Sequence, residues 1–168
     1  MKSIELRAVL FLSIFVVFCG CSDSSGNSAG EVKVDFQVVN PYFVKNTYTG
    51  ETNPSYLLIR SYSSFNSVFG VAMTANVDIS KLITEEKMKN GFVLSVIYQG
   101  NNIHAFRMEH ITLTNGQLRV YYTSEVTEPN ASWRCNCHVT VLIDNCEFDS
   151  ILLFENGNQL PNPSIKEL

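Results

Sequence analysis

The sequence predicts a mainly β protein of the α+β type: a predominantly antiparallel sheet or sandwich with one or two short helices. Three observations lead there. From Gly91 onward, apolar and β-branched runs follow one another with turn residues between them. Asn115-Gly116 sits between two such runs, the strongest short-range hairpin signal. Helical spacing surfaces in only two short windows, and strands joined by hairpins favour antiparallel pairing over βαβ winding.

Over Val32–Val39, Val32, Val34, Phe36 and Val38 alternate with Lys33, Asp35 and Gln37, the period of a half-buried strand. Asn46–Pro54 is polar and turn-rich, hence a loop. Tyr56–Arg60 is a short apolar strand. Ser61–Phe69 predicts a helical turn or two, with Ser61 or Ser63 as N-cap, Phe65, Val68 and Phe69 on one face, and Gly70 as the stop. Val71–Val77 reads as a strand. Ile79–Asn90 reads as a second helix, capped by Thr84 or Ser80, with Glu85 and Glu86 suited to its first turn and Gly91 ending it. Strands are then expected over Phe92–Tyr98, Ile103–Leu113, Gln117–Ser124, His138–Asp144 and Ser150–Phe154. On Gln117–Ser124, Leu118, Val120 and Tyr122 take one face and Arg119, Tyr121 and Thr123 the other. Residues 31–160 are read as a single β-rich domain and 161–168 as a loose tail. Such a scaffold by itself implies no chemistry.

The N-terminus carries an address. Lys2 and Arg7 precede an apolar run from Ala8 to Phe18, followed by Cys19-Gly20-Cys21. A spanning helix needs roughly 20 apolar residues, so this run fits a secretory signal instead. Phe18-Cys19-Gly20-Cys21 resembles the box of bacterial lipoprotein signals, in which the cysteine after a small residue receives diacylglycerol and, with maturation, palmitate. Cutting before Cys19 leaves bulky Phe18 at the scissile position, so Cys21 is the expected lipidation site. Residues 1–20 are then the signal peptide, and 21–30, rich in Ser, Gly and Asn, a flexible tether. Two acyl chains give stable anchoring where one is marginal. The expected location is the bacterial cell envelope, with an outer-membrane lipid anchor. Asp23 resembles the acidic surface-export signals of Bacteroidetes lipoproteins, and leaves both the periplasmic and the outward-facing orientation open.

Charge narrows the partners. Twelve Lys and Arg stand against sixteen Asp and Glu, and removing the signal takes away two of those cations and one acid. An acidic domain with scattered cations argues against nucleic acid. Neither a Gly-x-Ser-x-Gly elbow nor a His-Glu-x-x-His zinc signature is present, so no catalytic residue and no cofactor are assigned.

Beyond Cys21 the mature chain keeps Cys135, Cys137 and Cys146. If 138–144 is one extended strand, Cys137 and Cys146 lie more than about 25 Å apart, too far for a disulfide. Free thiols packed as small hydrophobes are expected. A metal site built from Cys135, Cys137, His138 and Cys146 has poor spacing, and no metal is assigned. His104 and His110, even-numbered on one strand, are expected to share a face roughly 20 Å apart. Asp149-Ser150-Ile151 looks like the O-glycosylation acceptor of Bacteroidetes proteins, which makes Ser150 a modification candidate.

From Tyr56 to about Phe154 the chain resembles the C-terminal domain of the protease-complex-stabilising subunit family (PrcB-like), small envelope lipoproteins. The residues that carry the likeness are Ile59-Arg60-Ser61 with Phe65 and Phe69, the apolar strand Phe92–Gly100, and Phe106, Met108 and Ile111. Leu118-Arg119-Val120-Tyr121-Tyr122 leading to Glu128-Pro129 completes it. Members commonly carry Gly-Gly-Tyr near the start of the middle strand; this chain has Asn101-Asn102-Ile103-His104. The resemblance implies a non-enzymatic domain that binds and stabilises a partner protein, in some members a secreted protease.

The leading expectation is therefore a lipid-anchored, non-catalytic protein-binding or accessory domain. Its candidate anchors are Trp133, Tyr121 and Tyr62, because a few aromatic side chains tend to dominate binding energy. The alternative is a glycan- or small-molecule-binding lipoprotein that stacks sugar rings on Tyr42, Phe43 and Tyr48.

Overall fold

The computed structural model describes residues 30–72 and 78–168; the signal peptide, Cys21 and residues 73–77 of the expected strand Val71–Val77 lie outside the described residues. In chain order the elements are β1 (Val32–Val34), β2 (Phe36–Val38), β3 (Tyr42–Val44), β4 (Ser55–Ile59), α1 (Tyr62–Val68) and β5 (Phe69–Val71). A 3-10 turn (Ile79–Lys81), α2 (Glu85–Lys89), β6 (Gly91–Gly100), β7 (Ile103–Thr114) and β8 (Gln117–Glu128) follow. The chain ends with β9 (Cys135–Asp144), β10 (Ser150–Glu155), β11 (Asn158–Gln159) and β12 (Ile165–Glu167). The fold is mostly β with two short α-helices, and most of its strand pairs are antiparallel.

Two five-stranded sheets stack face to face. The central sheet runs β12-β4-β6-β9-β2 and the outer sheet β1-β7-β8-β10-β11. Between them lies one apolar core: Phe92, Leu94 and Val96 of β6 and Val139, Val141 and Ile143 of β9 meet Met108, Ile111, Leu118, Val120, Tyr122 and Leu153. The opposite face of the central sheet is covered as well. Val93 and Ile97 of β6, with Leu57, Ile59 and Leu142, pack under α1, α2 and the two-stranded β3–β5 ladder through Phe65, Val68, Phe69, Tyr42 and Met88. Gly91 through Ile97 are consequently buried without a break, which is why β6 reads as a continuous apolar run rather than an alternation. The outer sheet is covered on one face only. β8 alternates buried Leu118, Val120 and Tyr122 with half-buried Arg119, Tyr121 and Thr123, as its sequence predicts.

Local chemistry sets the boundaries. Ser61 is the N-cap of α1, its Oγ accepting from the Ser64 N–H at 3.0 Å. The helix ends because the chain turns extended at Phe69; Gly70, read as the stop, lies inside β5 opposite Phe43. The predicted second helix divides. Asp78 caps the 3-10 turn and Thr84 caps α2, with Leu82–Thr84 between them and Ile83 buried in the core. Gly91 does not end α2, whose C-cap is Asn90, but opens β6 against β9. A Cβ at Gly91 would lie 2.5 Å from the Ile143 carbonyl oxygen, so the strands can approach this closely only over glycine. Asn115 and Gly116, both at positive φ, form the two-residue β7–β8 turn.

Three further expectations are corrected. Val32–Val39 is not one strand: the chain breaks at exposed Asp35, β1 joining the outer sheet and β2 the central one. A strand that switches sheets in this way forms a corner of the sandwich, and Val34 and Phe36 still pack into the same core while Val32 and Val38 are exposed. Residues 161–168 are not a loose tail. β12 pairs in parallel with β4, Leu168 N–H donates to Leu58 O, and Arg60 N–H donates to Leu168 O, each at 2.9 Å. β10 pairs in parallel with β8, and with β12–β4 it is one of the two parallel pairs among the described residues of a mostly antiparallel fold. Finally, His104 and His110 do not share a face. A bulge between Met108 and His110 shifts the register, so His104 lies on the inner side with Phe106 and His110 on the outer side with Tyr121.

Candidate functional site: the open face of the outer sheet

The two-residue turn at Asn115-Gly116 sets Thr114 opposite Gln117 and, four residues along each strand, His110 opposite Tyr121. The parallel register of β10 then sets Phe154 on the other side of Tyr121. Three rings therefore stand in one row across three strands. Their centroids are 4.2 Å apart for His110–Tyr121 and 4.4 Å for Tyr121–Phe154, with interplanar angles of 17° and 16°. Stacking this close and this parallel takes up both faces of Tyr121 and one face each of His110 and Phe154. The row is a ridge, not a platform.

Its surroundings are mixed in charge. Arg107 and Glu109 pair at 3.1 Å on β7, while Arg119 and Leu152 occupy the neighbouring row. Beside the ridge a groove of about 440 Å³ runs between Ala105, Arg107, Thr123, Glu125 and Asn156. Asn156, at positive φ, brackets Ser124 by accepting from its N–H and donating to its carbonyl, both at 3.0 Å, and so shapes the groove floor.

Of the sequence-predicted anchors, Tyr121 is the centre of this ridge. Trp133 is 55% exposed, but it sits in the loop after β8, whose last residue Glu128 lies seven residues, roughly 23 Å, along the strand from Tyr121. Tyr62 opens α1 and packs against the core on the far side of the central sheet. The three do not form one patch. Ser150 is exposed at the start of β10. Of the sugar-stacking candidates, Tyr42 is buried, its hydroxyl accepting from the Ile83 N–H at 2.9 Å. Phe43 is half exposed over Gly70. Tyr48 lines a polar cleft of about 300 Å³ with Asn46, Gln99, Arg134 and Asn136. The Gln99 side chain is already spent there: it accepts from Gly50 N–H and donates to Tyr48 O and Asn136 Oδ1.

His138, Thr140 and Ser95 form a chain beneath β3. Ser95 and Thr140 are buried with their hydroxyls 2.7 Å apart, Thr140 meets His138 Nδ1 at 2.9 Å, and His138 Nε2 donates to Tyr42 O at 3.0 Å. Burial holds this imidazole below its ordinary value, the Tyr42 carbonyl opposing weakly. Every nitrogen is satisfied in the neutral ring, so the group ties β9 to β3. Across the molecule, Arg60 lies 5.6 Å over both Phe92 and Phe148 beside Cys146, whose thiol is pushed up by burial. All three described cysteines are free, and among the described residues no three of His, Cys, Asp or Glu converge to hold a metal.

Sequence reasoning missed His110 and Phe154. The first was within reach, since the hairpin register follows from the turn; the second depends on a parallel pairing that no local turn specifies. No family model matches the chain, and no curated protein or solved structure matches it.

Proposed function

We propose that this chain is a lipid-anchored envelope protein, attached through Cys21, whose domain is a non-catalytic protein-binding module that docks its partner on the open face of the outer sheet. The observation that carries the reading is the ridge His110–Tyr121–Phe154 on the face of the outer sheet that the core does not cover. Stacked rings presenting edges suit insertion between side chains of another protein. They suit sugar stacking less well, because a sugar needs a free ring face and the central Tyr121 has both of its faces engaged. The resemblance to the protease-complex-stabilising subunits points the same way and rests on the residues quoted for it alone. Residues 21–30 give the tethered domain reach from the membrane.

The glycan-binding alternative draws support from one feature, the Tyr48–Arg134 cleft, whose volume falls at the small end of ligand sites. It ranks second, since Gln99, the central amide, is occupied internally.

The test is cross-linking and co-purification of the native lipidated chain from envelope membranes, beside a Tyr121→Ala variant. A specific protein partner whose recovery falls at least about tenfold with Tyr121→Ala is the expected result. Recovery of no protein, or of the same partner undiminished, overturns the reading. Glycan binding lost on Tyr48→Ala would promote the alternative.

A further inference from the structure

The start of β9 holds a feature that the ridge does not use. Cys135 and Cys137 are alternate residues of the strand and point into the space between the sheets at the end of the sandwich, on the side of Val139 and Val141. Their sulfurs are 3.3 Å apart and both side chains are half-buried. Alternate Cα atoms of a strand lie about 6.6 Å apart, inside the upper limit of about 6.8 Å that a disulfide spans. β6 pairs with β9 along this stretch, Gly100 opposite Cys135 and Tyr98 opposite Cys137, whereas β2 reaches only residues 141–143 on the other side. Among the described residues no strand pairs with that edge of β9 at Cys135 and Cys137, which leaves it room there to bend inward.

The two sulfurs have different surroundings. Cys137 Sγ receives the backbone N–H of His104 at 3.3 Å and lies in contact with the Cys135 sulfur. Cys135 lies against the Asn102 carbonyl, to which its S–H donates at 3.3 Å. Its thiol is pushed up to about 11, first by burial and then by Cys137. One sulfur is placed to attack and the other to wait protonated.

We propose that Cys135 and Cys137 are a redox-active dithiol that closes to an intrastrand disulfide by exchange with an external disulfide. In the first step the Cys137 thiolate attacks one sulfur of the incoming disulfide, breaking its S–S bond, forming a mixed disulfide and releasing one thiolate. In the second step Cys135 gives its proton to that thiolate and attacks the Cys137 sulfur, expelling the second thiolate, which takes up from solvent the proton that Cys137 had released to it. Two electrons pass from the protein pair to the external disulfide, which leaves as two thiols. The consequence is local. The Asn102 carbonyl loses the Cys135 S–H, and Asn102 belongs to the β6–β7 turn that holds the Trp133 loop through Ala131 N–H to Asn101 O at 2.7 Å and Asn130 N–H to Asn102 Oδ1 at 3.0 Å. Trp133, the only tryptophan of the chain, is two residues from Cys135, so its emission reports the state of the pair.

The experiment uses the purified full-length chain, equilibrated with oxidised and reduced glutathione at graded ratios, alkylated, and read by peptide mass spectrometry with Trp133 fluorescence in parallel. Expected is the joint loss of alkylation at Cys135 and Cys137, the peptide becoming two hydrogens lighter, while Cys146 stays alkylated and Trp133 emission falls over the same ratios. Cys135→Ser should instead accumulate a stable glutathione adduct on Cys137, whereas Cys137→Ser should form far less on Cys135. The proposal is overturned if both thiols of the wild-type chain remain alkylatable at every ratio, if a mixed disulfide accumulates without closing, or if Cys146 takes part in the bond. The wild-type measurement alone decides this even where a variant folds poorly.

Discussion

The central and outer sheets are built from strands of similar length, yet they are used differently. β6 in the central sheet is buried on both faces and carries no position that solvent can sample until Tyr98. β8 in the outer sheet buries every second residue and hands the others to its open face. A strand buried twice has no side chain to spare for a partner, and every residue in it is committed to packing. A strand buried once keeps half of its positions for something else, and here one such row holds His110, Tyr121 and Phe154. On the function proposed above, stability and recognition fall to different sheets, so substitutions in the two should differ in kind as well as in size.

The largest expected effect is in the central sheet. Leu94 is 1% exposed between the sheets, and Leu94→Ala should cost about 2–5 kcal/mol, the range for removing a buried leucine side chain with incomplete collapse of the hole. Leu152→Ala, on the open row of β10, should cost no more than about 1 kcal/mol. Urea midpoints of the two variants measure the contrast, and comparable losses would break it. Next comes Gly91→Ala. The added methyl meets the Ile143 carbonyl oxygen at 2.5 Å, and both backbones are fixed in the β6–β9 ladder. A loss of about 1–3 kcal/mol, the usual range for overpacking, should appear as a lower melting temperature; an unchanged melting curve would show that the ladder yields there.

Periodicity carried the strands of both sheets well, because it records how many faces are buried. The uninterrupted run of β6 and the alternation of β8 are both visible in the residues. What was hidden is whatever depends on pairing between distant segments. The bulge near Glu109 inserts one residue into β7 and reverses the parity that His110 shows in the sequence. β12 is a strand only because β4 offers it an edge, and three residues ending a chain carry no pattern of their own. The same holds for the site. His110 and Tyr121 follow from a two-residue turn, whereas Phe154 joins them through a parallel register that no local signal sets. In the sequence Cys135 and Cys137 come together only as candidate metal ligands, not as a disulfide pair, because the strand is expected to begin at His138, after both of them.

A smaller effect distinguishes the sheets by pH. His138, on the covered face of β9, is held below its ordinary value by burial, so the unfolded chain binds the proton more readily than the folded one. Stability is complete above the unfolded imidazole value of about 6.5 and declines as pH falls through it. One such proton gives a slope of at most about 1.4 kcal/mol per pH unit. Urea midpoints measured between pH 8 and pH 5 should therefore be flat and then fall. His138→Asn should start lower, having lost the bond to Tyr42 O, and should show a shallower decline. If the variant keeps the full slope, the proton is taken up elsewhere and His138 is not the group that links β9 to pH.

The smallest expected change in stability belongs to the residue with the largest proposed role. Tyr121→Ala removes two stacking contacts, each worth roughly 0.5–1.5 kcal/mol in a pair and less where solvent reaches the rings. Tyr121 lies outside the intersheet core of Leu118, Val120 and Tyr122, which its loss leaves intact. Folding stability should fall by about 1 kcal/mol, whereas an aromatic anchor at the centre of an interface commonly contributes 2 kcal/mol or more to binding, roughly a thirtyfold change in affinity. The informative quantity is the ratio of the two losses, read from one urea titration and one binding isotherm against the captured partner. A binding loss exceeding the stability loss marks the row as a surface kept for recognition. Equal losses, or a stability loss approaching that of Leu94→Ala, would mean that the ridge holds β7, β8 and β10 together and that the open face is only the solvent side of a sandwich.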